Sequence, residues 1–421
     1  MSCFNTLRAA SIAALLPMVF AGADWMRFRG PGGVGSSDEQ TPATWSGAEN
    51  IVWKTALPGF GASSPITLGK KIFLTCYSGY GLDENDPGDQ ENLRMHVTCL
   101  DRASGKILWD RRIKARLPEQ EYKGTMPLHG YASPTPATDG SQLYVFFGRS
   151  GVFAFDLDGK LIWSRSVGSK THVWGCAASP IVAGDLLIVN ASIESESLYA
   201  LNKATGEVAW RAGRIEDSWS TPALVTLPDG KQELVVSIKH KVLGFVPETG
   251  VLRWECGAVP DYVCPMVIAE GDVVYITGGR KPTTVAVRCG GLGDVTAKHL
   301  LWTMKGTPKV SSPVYHNGYL YWVNNRAVAS CVDAKTGKTV YEERLRISGS
   351  GDRVYASAVR AGDNLYFVSR EDGTVVLTAT PEFKQVAHNH LGDDGTFNAT
   401  PTVSNGQLLI RSDRFLYCIG E

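Results

Sequence analysis

Short apolar stretches run along almost the whole of this chain, and the turns between them are marked by Gly together with Asp, Asn or Pro. Such spacing predicts β-strands joined as hairpins rather than helices. One hairpin pattern places a Gly turn between two strands and an aromatic residue at the end of the second strand. It occurs at 99–109, 154–163, 200–210, 244–254 and 331–341. Gly supplies the positive φ of a tight turn, and the terminal Trp can fill the gap between neighbouring sheets.

A second pattern accompanies the hairpins, a Ser/Thr-Pro step that leads into an apolar strand. It recurs at Pro65, Pro136, Pro180, Pro222, Pro265, Pro313 and Pro401, with Ser357-Ala358 in the one remaining gap. These steps divide the chain into eight units of about 44 residues, the first of which carries an insertion. A period of this length with four short strands per unit is typical of a β-propeller. The Gly-His and Trp-Asp pair of WD40 repeats is absent from the units.

The last unit ends at DRFLYCIGE (413–421), before the strand that should carry its Trp. The missing strand stands near the other end of the chain as IVWKTAL (51–57), where Trp53 matches the repeat Trp. Pairing these two segments would close the ring and leave no open sheet edge. The sequence therefore predicts an all-β fold over residues 24–421. We expect an eight-bladed β-propeller of four-stranded antiparallel blades, closed by an N-terminal strand that completes the C-terminal blade.

Residues 1–23 have the features of a secretory signal peptide. Arg8 precedes an apolar run that ends at Ala21-Gly22-Ala23, a small-x-small cleavage site. The run is shorter than the roughly 20 residues that a spanning helix needs, and no Cys follows it to carry a lipid. We expect a mature chain that starts near Asp24, has no transmembrane segment, and is periplasmic or secreted.

Charge excludes one class of partner. The chain has 42 Lys and Arg against 42 Asp and Glu, with no basic block. Nucleic acids and anionic membrane surfaces are bound through concentrated positive charge, so neither is expected as a partner. The apolar share of 43% is enough for a large core and excludes a wholly disordered chain.

The repeats account for most of the cysteines. Cys takes the place of a small repeat residue at four positions, Cys99, Cys264, Cys331 and Cys418. We interpret these as small core side chains. Cys99 is expected to face Ile72 on the adjacent strand rather than Cys76, which would leave the two thiols too far apart for a disulfide. The pattern leaves three others undecided, Cys176, Cys256 and Cys289.

The hairpin pattern, written A-x-D-x-x-T-G-x-x-x-W, resembles the repeat of the PQQ-like propellers. That superfamily includes quinoprotein alcohol dehydrogenases and the BamB propeller of the outer-membrane β-barrel assembly machinery. The likeness covers residues 51–421. The opening WMRFRGPGGVG (25–35) is similar to a group of exported PQQ-like proteins frequent in planctomycetes. The resemblance implies the fold and leaves the chemistry open, because function resides in sites rather than in folds.

A resemblance to quinoprotein dehydrogenases implies PQQ and Ca²⁺ as cofactors. Those enzymes have an adjacent Cys-Cys pair over the quinone, a Trp beneath it, a Ca²⁺ held by Glu and Asn side chains, and a catalytic Asp. This chain has no adjacent Cys pair and no C-x-x-C-H haem site. Asn190 and Glu194 could imitate the Ca²⁺ ligands, and the alternative is a polar turn between two strands. PQQ and Ca²⁺ therefore stay open as cofactors, and no metal site is predicted.

The segments that lead into the innermost strands of a propeller converge at one end of its channel, so the residues before each Ser/Thr-Pro step should form a ring. Polar and aromatic residues recur there. The candidate ligand-binding residues are His172, Trp174, Trp219, Lys309, Arg353 and Asn398. The candidate catalytic residues are His129, Tyr131, Arg353 and Tyr355. Trp rings offer stacking faces, Lys and Arg can hold a carboxylate, and a His–Tyr pair can act as general base and acid. The alternative is that aromatic residues merely cap the channel.

Two loops complete the candidate regions. The insertion at 77–94 brings together the oxygen donors Asp83, Glu84, Asp86, Asp89 and Glu91. The spacing of a Ca²⁺-binding EF-hand fails at Pro87 and Arg94, so a solvated acidic loop is the preferred interpretation. The linker at 115–131 leads to the same face as His129, where it could form a lid or a partner surface.

Three functions fit this pattern. The leading hypothesis is an exported, monomeric, non-redox binding or scaffold propeller of the cell envelope, similar to BamB in role, that presents the channel ring to a protein or carbohydrate ligand. The first alternative is a PQQ-dependent quinoprotein oxidoreductase acting on an alcohol or a sugar. The second is a carbohydrate-active enzyme such as a polysaccharide lyase, which would hold a carboxylate and remove a neighbouring proton.

Overall fold

The apolar stretches fold into eight antiparallel sheets that surround a channel as the blades of a propeller. A computed structural model of the protein describes residues 24–348 and 353–421. The segment predicted to be a signal peptide lies outside these ranges. The all-β class and the eight four-stranded blades confirm the predicted fold.

Each blade has its four strands in order from the channel outward. Blade 1 consists of Ile66–Leu68, Lys71–Ser78, Arg94–Asp101 and Ile107–Lys114. Blade 2 consists of Ala137–Thr138, Gln142–Phe146, Val152–Asp156 and Leu161–Arg165. Blade 3 consists of Ile181–Ala183, Leu186–Ala191, Ser197–Asn202 and Val208–Gly213. Blade 4 consists of Ala223–Thr226, Gln232–Ile238, Lys241–Phe245 and Leu252–Gly257.

The second half of the ring repeats this order. Blade 5 consists of Ile268–Glu270, Val273–Gly278, Thr283–Arg288 and Leu300–Lys305. Blade 6 consists of Val314–His316, Tyr319–Val323, Val328–Asp333 and Thr339–Arg344. Blade 7 consists of Val359–Ala361, Asn364–Val368, Thr374–Thr378 and Gln385–Asn389. Blade 8 consists of Thr402–Ser404, Gln407–Arg411, Phe415–Ile419 and Ile51–Ala56.

Helix is confined to short turns in the connections. The two α-helical turns are Ser192–Ser195 and Thr296–His299. The 3₁₀ turns are Pro31–Gly33, Gln90–Asn92, Met126–Leu128 and Gly148–Ser150. Two short strands, Ser36–Ser37 and Gly293–Asp294, add parallel edges to blades 7 and 4. Within the described ranges no helix has the length and apolar character needed to cross a membrane.

Closure of the ring follows the sequence prediction. Ile51–Ala56 pairs antiparallel with Phe415–Ile419, and Trp53 stands opposite Cys418. The N-terminal strand is therefore the outermost strand of blade 8. This pairing joins the two ends of the propeller through backbone hydrogen bonds.

Neighbouring blades meet where the repeat Trp of one blade packs on the repeat Gly of the next. Trp163 of blade 2 covers Gly206 of blade 3, and its indole N–H donates to the carbonyl of Lys203 at 3.0 Å. A Cβ at Gly206, which has a φ of +72°, would lie 2.5 Å from the indole. The same contact joins four other pairs, Trp53 with Gly105, Trp109 with Gly159, Trp210 with Gly250 and Trp302 with Gly337. The repeat therefore specifies a blade-to-blade contact as well as a turn.

Blade 4 departs from this rule. Trp254 is fully buried, and its indole N–H donates to the carboxylate of Glu233 at 2.7 Å. The backbone N–H of Gly290 donates to the same carboxylate at 3.0 Å. The inserted loop of blade 5 thus takes the place of the Gly turn, and its strand Gly293–Asp294 pairs with the outer strand of blade 4.

The N-terminal segment crosses the end of the channel where the turns after the innermost strands lie. Trp25 donates its backbone N–H to the hydroxyl of Thr67 in blade 1. Arg29, with no exposed surface, donates to the carbonyls of Pro313 and Ala358, which lead into blades 6 and 7. Phe28, between these two anchors, lines the channel cavity. This segment therefore forms the floor of the channel.

One expected register is wrong by one residue. Cys99 pairs with Phe73, and Ile72 pairs with Leu100. The reason is the turn residue: Asp101 pairs with Lys71, the first residue of its strand, and that pairing sets every position beyond it. Cys76 stands opposite His96, so the two thiols remain apart. All eight cysteines of the described ranges are free, including Cys176, Cys256 and Cys289.

The contact between Trp and Gly can be tested within blade 3. Gly206→Ala adds a Cβ against Trp163, whereas Gly184→Ala adds one at a similar positive φ with nothing within 4 Å. We expect Gly184→Ala to lower the free energy of unfolding by roughly 1–2 kcal/mol, the cost of left-handed backbone. Gly206→Ala should cost about 1–3 kcal/mol more because of overpacking. Chemical denaturation measures both values, and equal losses would contradict this role for Gly206.

Candidate functional site

A cavity of about 370 Å³ occupies the channel at the end where the innermost strands begin. Its floor includes Phe28, and its walls come from the segments that precede the Ser/Thr-Pro steps. Six residues of the predicted ring line it together, His129, Trp174, Trp219, Lys309, Tyr355 and Asn398. The predicted ring is thus largely one cavity wall. We call this space the mouth cavity.

Hydroxyl groups of the Ser/Thr-Pro steps form a belt around the mouth cavity. The backbone N–H of Ser64 donates to the hydroxyl of Thr135, and the backbone N–H of Thr135 donates to the hydroxyl of Ser179, each at 2.9 Å. Further links of this kind join Ser179 to Thr221, Ser312 to Ser357 and Ser357 to Thr400. The belt joins successive blades and explains why the repeat requires a hydroxyl before Pro. Blade 5 has Cys264 at this position.

An aromatic cluster forms the wall on blades 3 to 5. The ring of Trp174 lies 5.1 Å from that of Trp219 and 4.5 Å from that of Tyr262. His172 contacts both Trp rings, at 5.4 Å and 4.9 Å. Trp219 is only 3% exposed, and its indole N–H donates to the carbonyl of Gly175. Trp219 therefore supports the wall, and the half-buried Trp174 offers its surface to the cavity.

A cation faces the mouth cavity from blade 7. The Nε of Arg370 donates to Asn398 Oδ1 at 3.0 Å, and its guanidinium lies 4.7 Å from the ring centre of Tyr355. Arg370 is on the turn between the second and third strands, so the sequence analysis, which considered only the segments before the innermost strands, missed it. Arg353 is not among the cavity-lining residues. Its carbonyl accepts from the backbone N–H of Arg370.

The charge of the mouth cavity has one sign. Lys309 lines it, and no Asp or Glu is among its described lining residues. His129 also lines it, with Nδ1 2.9 Å from the Ser133 hydroxyl. Burial lowers the pKa of His129 to about 4, so its imidazole is neutral at neutral pH. The cavity therefore favours an anionic or neutral ligand over a cation.

The structure does not bring His129 and Tyr131 together as an acid–base pair. The hydroxyl of Tyr131 donates to the carbonyl of Gln120 at 2.6 Å, and Tyr131 is 8% exposed. Its ring packs against those of Tyr77 and Tyr122, 5.3 Å and 6.1 Å away. Tyr131 thus belongs to the core that joins the linker at 115–131 to blade 1.

The linker covers part of the mouth. Its 3₁₀ turn Met126–Leu128 is bonded at both sides, because Thr125 donates to the carbonyl of Val173 and Asn398 donates to the carbonyl of Leu128. These bonds join the linker to blades 3 and 8. The acidic residues of the insertion at 77–94 are exposed, as a solvated loop requires.

Asn190 and Glu194 do not form a Ca²⁺ site. The amide of Asn190 donates to the Ser218 hydroxyl and to the carbonyl of Ser220, both at 2.9 Å. Glu194 is 3% exposed, its Oε2 has no hydrogen-bond partner, and burial raises its pKa to about 8. Neither residue lines the mouth cavity. A protonated carboxyl and an amide already bonded do not fit the metal that accompanies PQQ.

A family model described as outer membrane protein assembly factor BamB matches residues 94–340, which is more than half of the chain. This match decides the family. The chain belongs to the BamB family of PQQ-like propellers. No curated protein sequence matches it.

Solved structures similar to this BamB-family propeller have the same fold. BamB from Moraxella catarrhalis superposes with a TM-score of 0.61 at 12% identity, over 87% of this chain and 96% of that one. A quinohemoprotein alcohol dehydrogenase from Comamonas testosteroni gives 0.59 at 10% identity, over 94% and 80%. The computationally designed Ika8 protein gives 0.56 at 10% identity, over 87% and 98%. Likenesses at such low identity establish the fold and leave the role open.

The buried carboxyl of Glu194 predicts a pH-dependent stability. Its pKa is about 8 in the folded chain and near 4.5 when unfolded, so the unfolded chain loses this proton first as the pH rises. The free energy of unfolding should therefore fall between about pH 4.5 and pH 8, by at most about 1.4 kcal/mol per pH unit for this group. Glu194→Gln should remove that contribution, and the exposed Glu248→Gln should not. Denaturation curves at pH 5 and pH 8.5 measure the difference, and identical pH profiles for Glu194→Gln and the parent would contradict it.

Proposed function

We propose that this protein is an exported, monomeric, non-redox binding propeller of the cell envelope, and that its mouth cavity takes a small acidic carbohydrate. The observation that carries the proposal is the composition of the cavity. Aromatic surface, a cation and hydroxyl or amide groups converge in about 370 Å³, and no carboxylate lines the space among the described residues. Cavities of this size with a few convergent polar groups are usual for small-molecule ligands.

The aromatic wall supports a sugar ring. Trp174 is half-buried and held by its contacts with Trp219 and Tyr262, so its orientation is fixed before a ligand binds. A rigid aromatic surface binds the apolar face of a ring at little cost in conformational entropy. This wall is therefore the place for the ring of a sugar.

The polar side of the cavity supports a carboxylate and hydroxyl groups. Lys309 supplies a cation, and Arg370 lies beside Asn398 and Tyr355 at the rim. Ammonium and guanidinium groups form strong hydrogen bonds with carboxylates. The side chain of Asn398 and the hydroxyl belt offer both donors and acceptors to sugar hydroxyls. A uronic acid residue combines the groups that such a cavity would bind.

Export and location rest on the N-terminal residues and on the family. Residues 4–23 have the composition of a signal peptide, and the matched family is described as an outer membrane assembly factor. Both features favour the cell envelope. A protein partner at the mouth face is compatible with the same location, but the enclosed shape of the cavity favours a small ligand.

The two enzymatic alternatives have less support. A PQQ-dependent oxidoreductase would need carboxylate and amide ligands for Ca²⁺, and Glu194 and Asn190 lie outside the mouth cavity with other roles. A lyase would need an acid beside His129, and the hydroxyl of Tyr131 is bonded to Gln120. We therefore assign no catalytic step to this cavity.

Binding of trigalacturonate tests the proposal. We expect isothermal titration calorimetry to detect one site per chain, and Trp174→Ala to weaken it at least tenfold through loss of the stacking surface. Lys309→Ala should weaken trigalacturonate at least tenfold while leaving the neutral analogue trigalactose unchanged, because only the charged ligand needs the ammonium group. The matched control is Lys298→Ala, an exposed lysine outside the cavity. No binding of either sugar, or equal effects of the two Lys variants, would overturn the proposal.

A further inference from the structure

Two histidines and an aspartate meet on blade 7, outside the mouth cavity. His388 is in the outermost strand Gln385–Asn389, His390 follows that strand, and Asp372 is on the turn that joins the second and third strands. Their ligand atoms all lie within 4.8 Å of one another. Across 24–348 and 353–421 this is the one group of three or more His, Cys, Asp or Glu side chains with that property.

The distances suit a single ion. His390 Nε2 lies 3.1 Å from Asp372 Oδ1, and His388 Nε2 lies 3.9 Å from Asp372 Oδ2. The two imidazole ring centres are 4.5 Å apart. Donors that surround a tetrahedral ion at about 2.1 Å are roughly 3.4 Å from one another. The separations seen here bracket that value, so small side-chain rotations bring the three donors to one point.

The donor types indicate which ion. Two imidazole nitrogens and one carboxylate suit Zn²⁺ and similar divalent transition metals, whereas Ca²⁺ and Mg²⁺ prefer oxygen ligands throughout. Three protein donors leave at least one coordination position for water or a ligand. The side chain of His390 is 56% exposed and that of Asp372 is 16% exposed, so an ion can reach the group from solvent.

The surroundings hold the carboxylate in place. The backbone N–H of Ser348 donates to Asp372 Oδ2, which leaves Oδ1 directed at His390. Such contacts from neighbouring groups orient metal ligands. The turn that carries Asp372 also carries Arg370, whose guanidinium contacts Asn398 and Tyr355 at the cavity rim. An ion at Asp372 would therefore stiffen the turn that positions Arg370.

We propose that Asp372, His388 and His390 form a binding site for a divalent transition-metal ion, with Zn²⁺ as the preferred occupant and at least one coordination position open. The site is separate from the mouth cavity and does not depend on the identity of the sugar. The competing explanation is a hydrogen-bonded His–Asp cluster that binds no ion.

A titration of the full chain with Zn²⁺ alone, after removal of metals with a chelator, tests the proposal. We expect one Zn²⁺ per chain, and a visible absorption band when Co²⁺ replaces Zn²⁺, as a site with nitrogen and oxygen ligands produces. His390→Ala should weaken Zn²⁺ at least 100-fold and remove the Co²⁺ band. Because His390 is largely exposed, this variant should fold, and Asp372→Asn gives a second variant with little change in shape.

The matched control is His240→Asn, which removes an exposed histidine at a positive φ that Asn tolerates. It should bind Zn²⁺ like the parent. Absence of stoichiometric Zn²⁺ binding would overturn the proposal, as would His390→Ala and Asp372→Asn chains that bind Zn²⁺ as tightly as the parent. Because no sugar is present in this titration, its outcome is independent of the proposed carbohydrate binding.

Discussion

The packing of a Trp from one blade on a Gly of the next is the contact on which this propeller depends. A propeller blade is a small sheet with two apolar faces, and it is stable only when both faces are covered. The indole covers the turn of the neighbouring blade and donates its N–H to a backbone carbonyl there, as Trp163 does to Lys203. Five such contacts around the ring set the spacing of the blades. Where the contact changes, at Trp254, a buried Glu233 and an inserted loop take its place.

The functional end of the molecule follows from this scaffold. With the blades fixed, the segments before the innermost strands can carry varied side chains without affecting the fold. The hydroxyl belt joins these segments from blade to blade. At the opposite end the N-terminal segment crosses from Trp25 to Arg29 and brings Phe28 under the channel. The channel thus becomes a cavity with a floor, which a ligand approaches from the mouth.

The repeat period made the fold predictable, because each Ser/Thr-Pro step and each Gly turn has a local physical requirement. The candidate ring was predictable only in part. His129 and Trp174 line the mouth cavity because they stand before a step, whereas Tyr131, two residues later than His129, turns into a core of tyrosines. Arg370 and the group of Asp372, His388 and His390 depend on how separate turns of one blade meet, and the 16 residues between Asp372 and His388 match no metal-binding spacing. Contacts of that kind appear only in three dimensions.

The central claim is that the mouth cavity is the ligand site of this BamB-family propeller. A crystal structure of the protein soaked with trigalacturonate tests it most directly. The account predicts density for a sugar ring against Trp174, with its carboxylate in contact with Lys309, and no displacement of Phe28. Sugar density at another surface with an unoccupied mouth cavity would contradict the account.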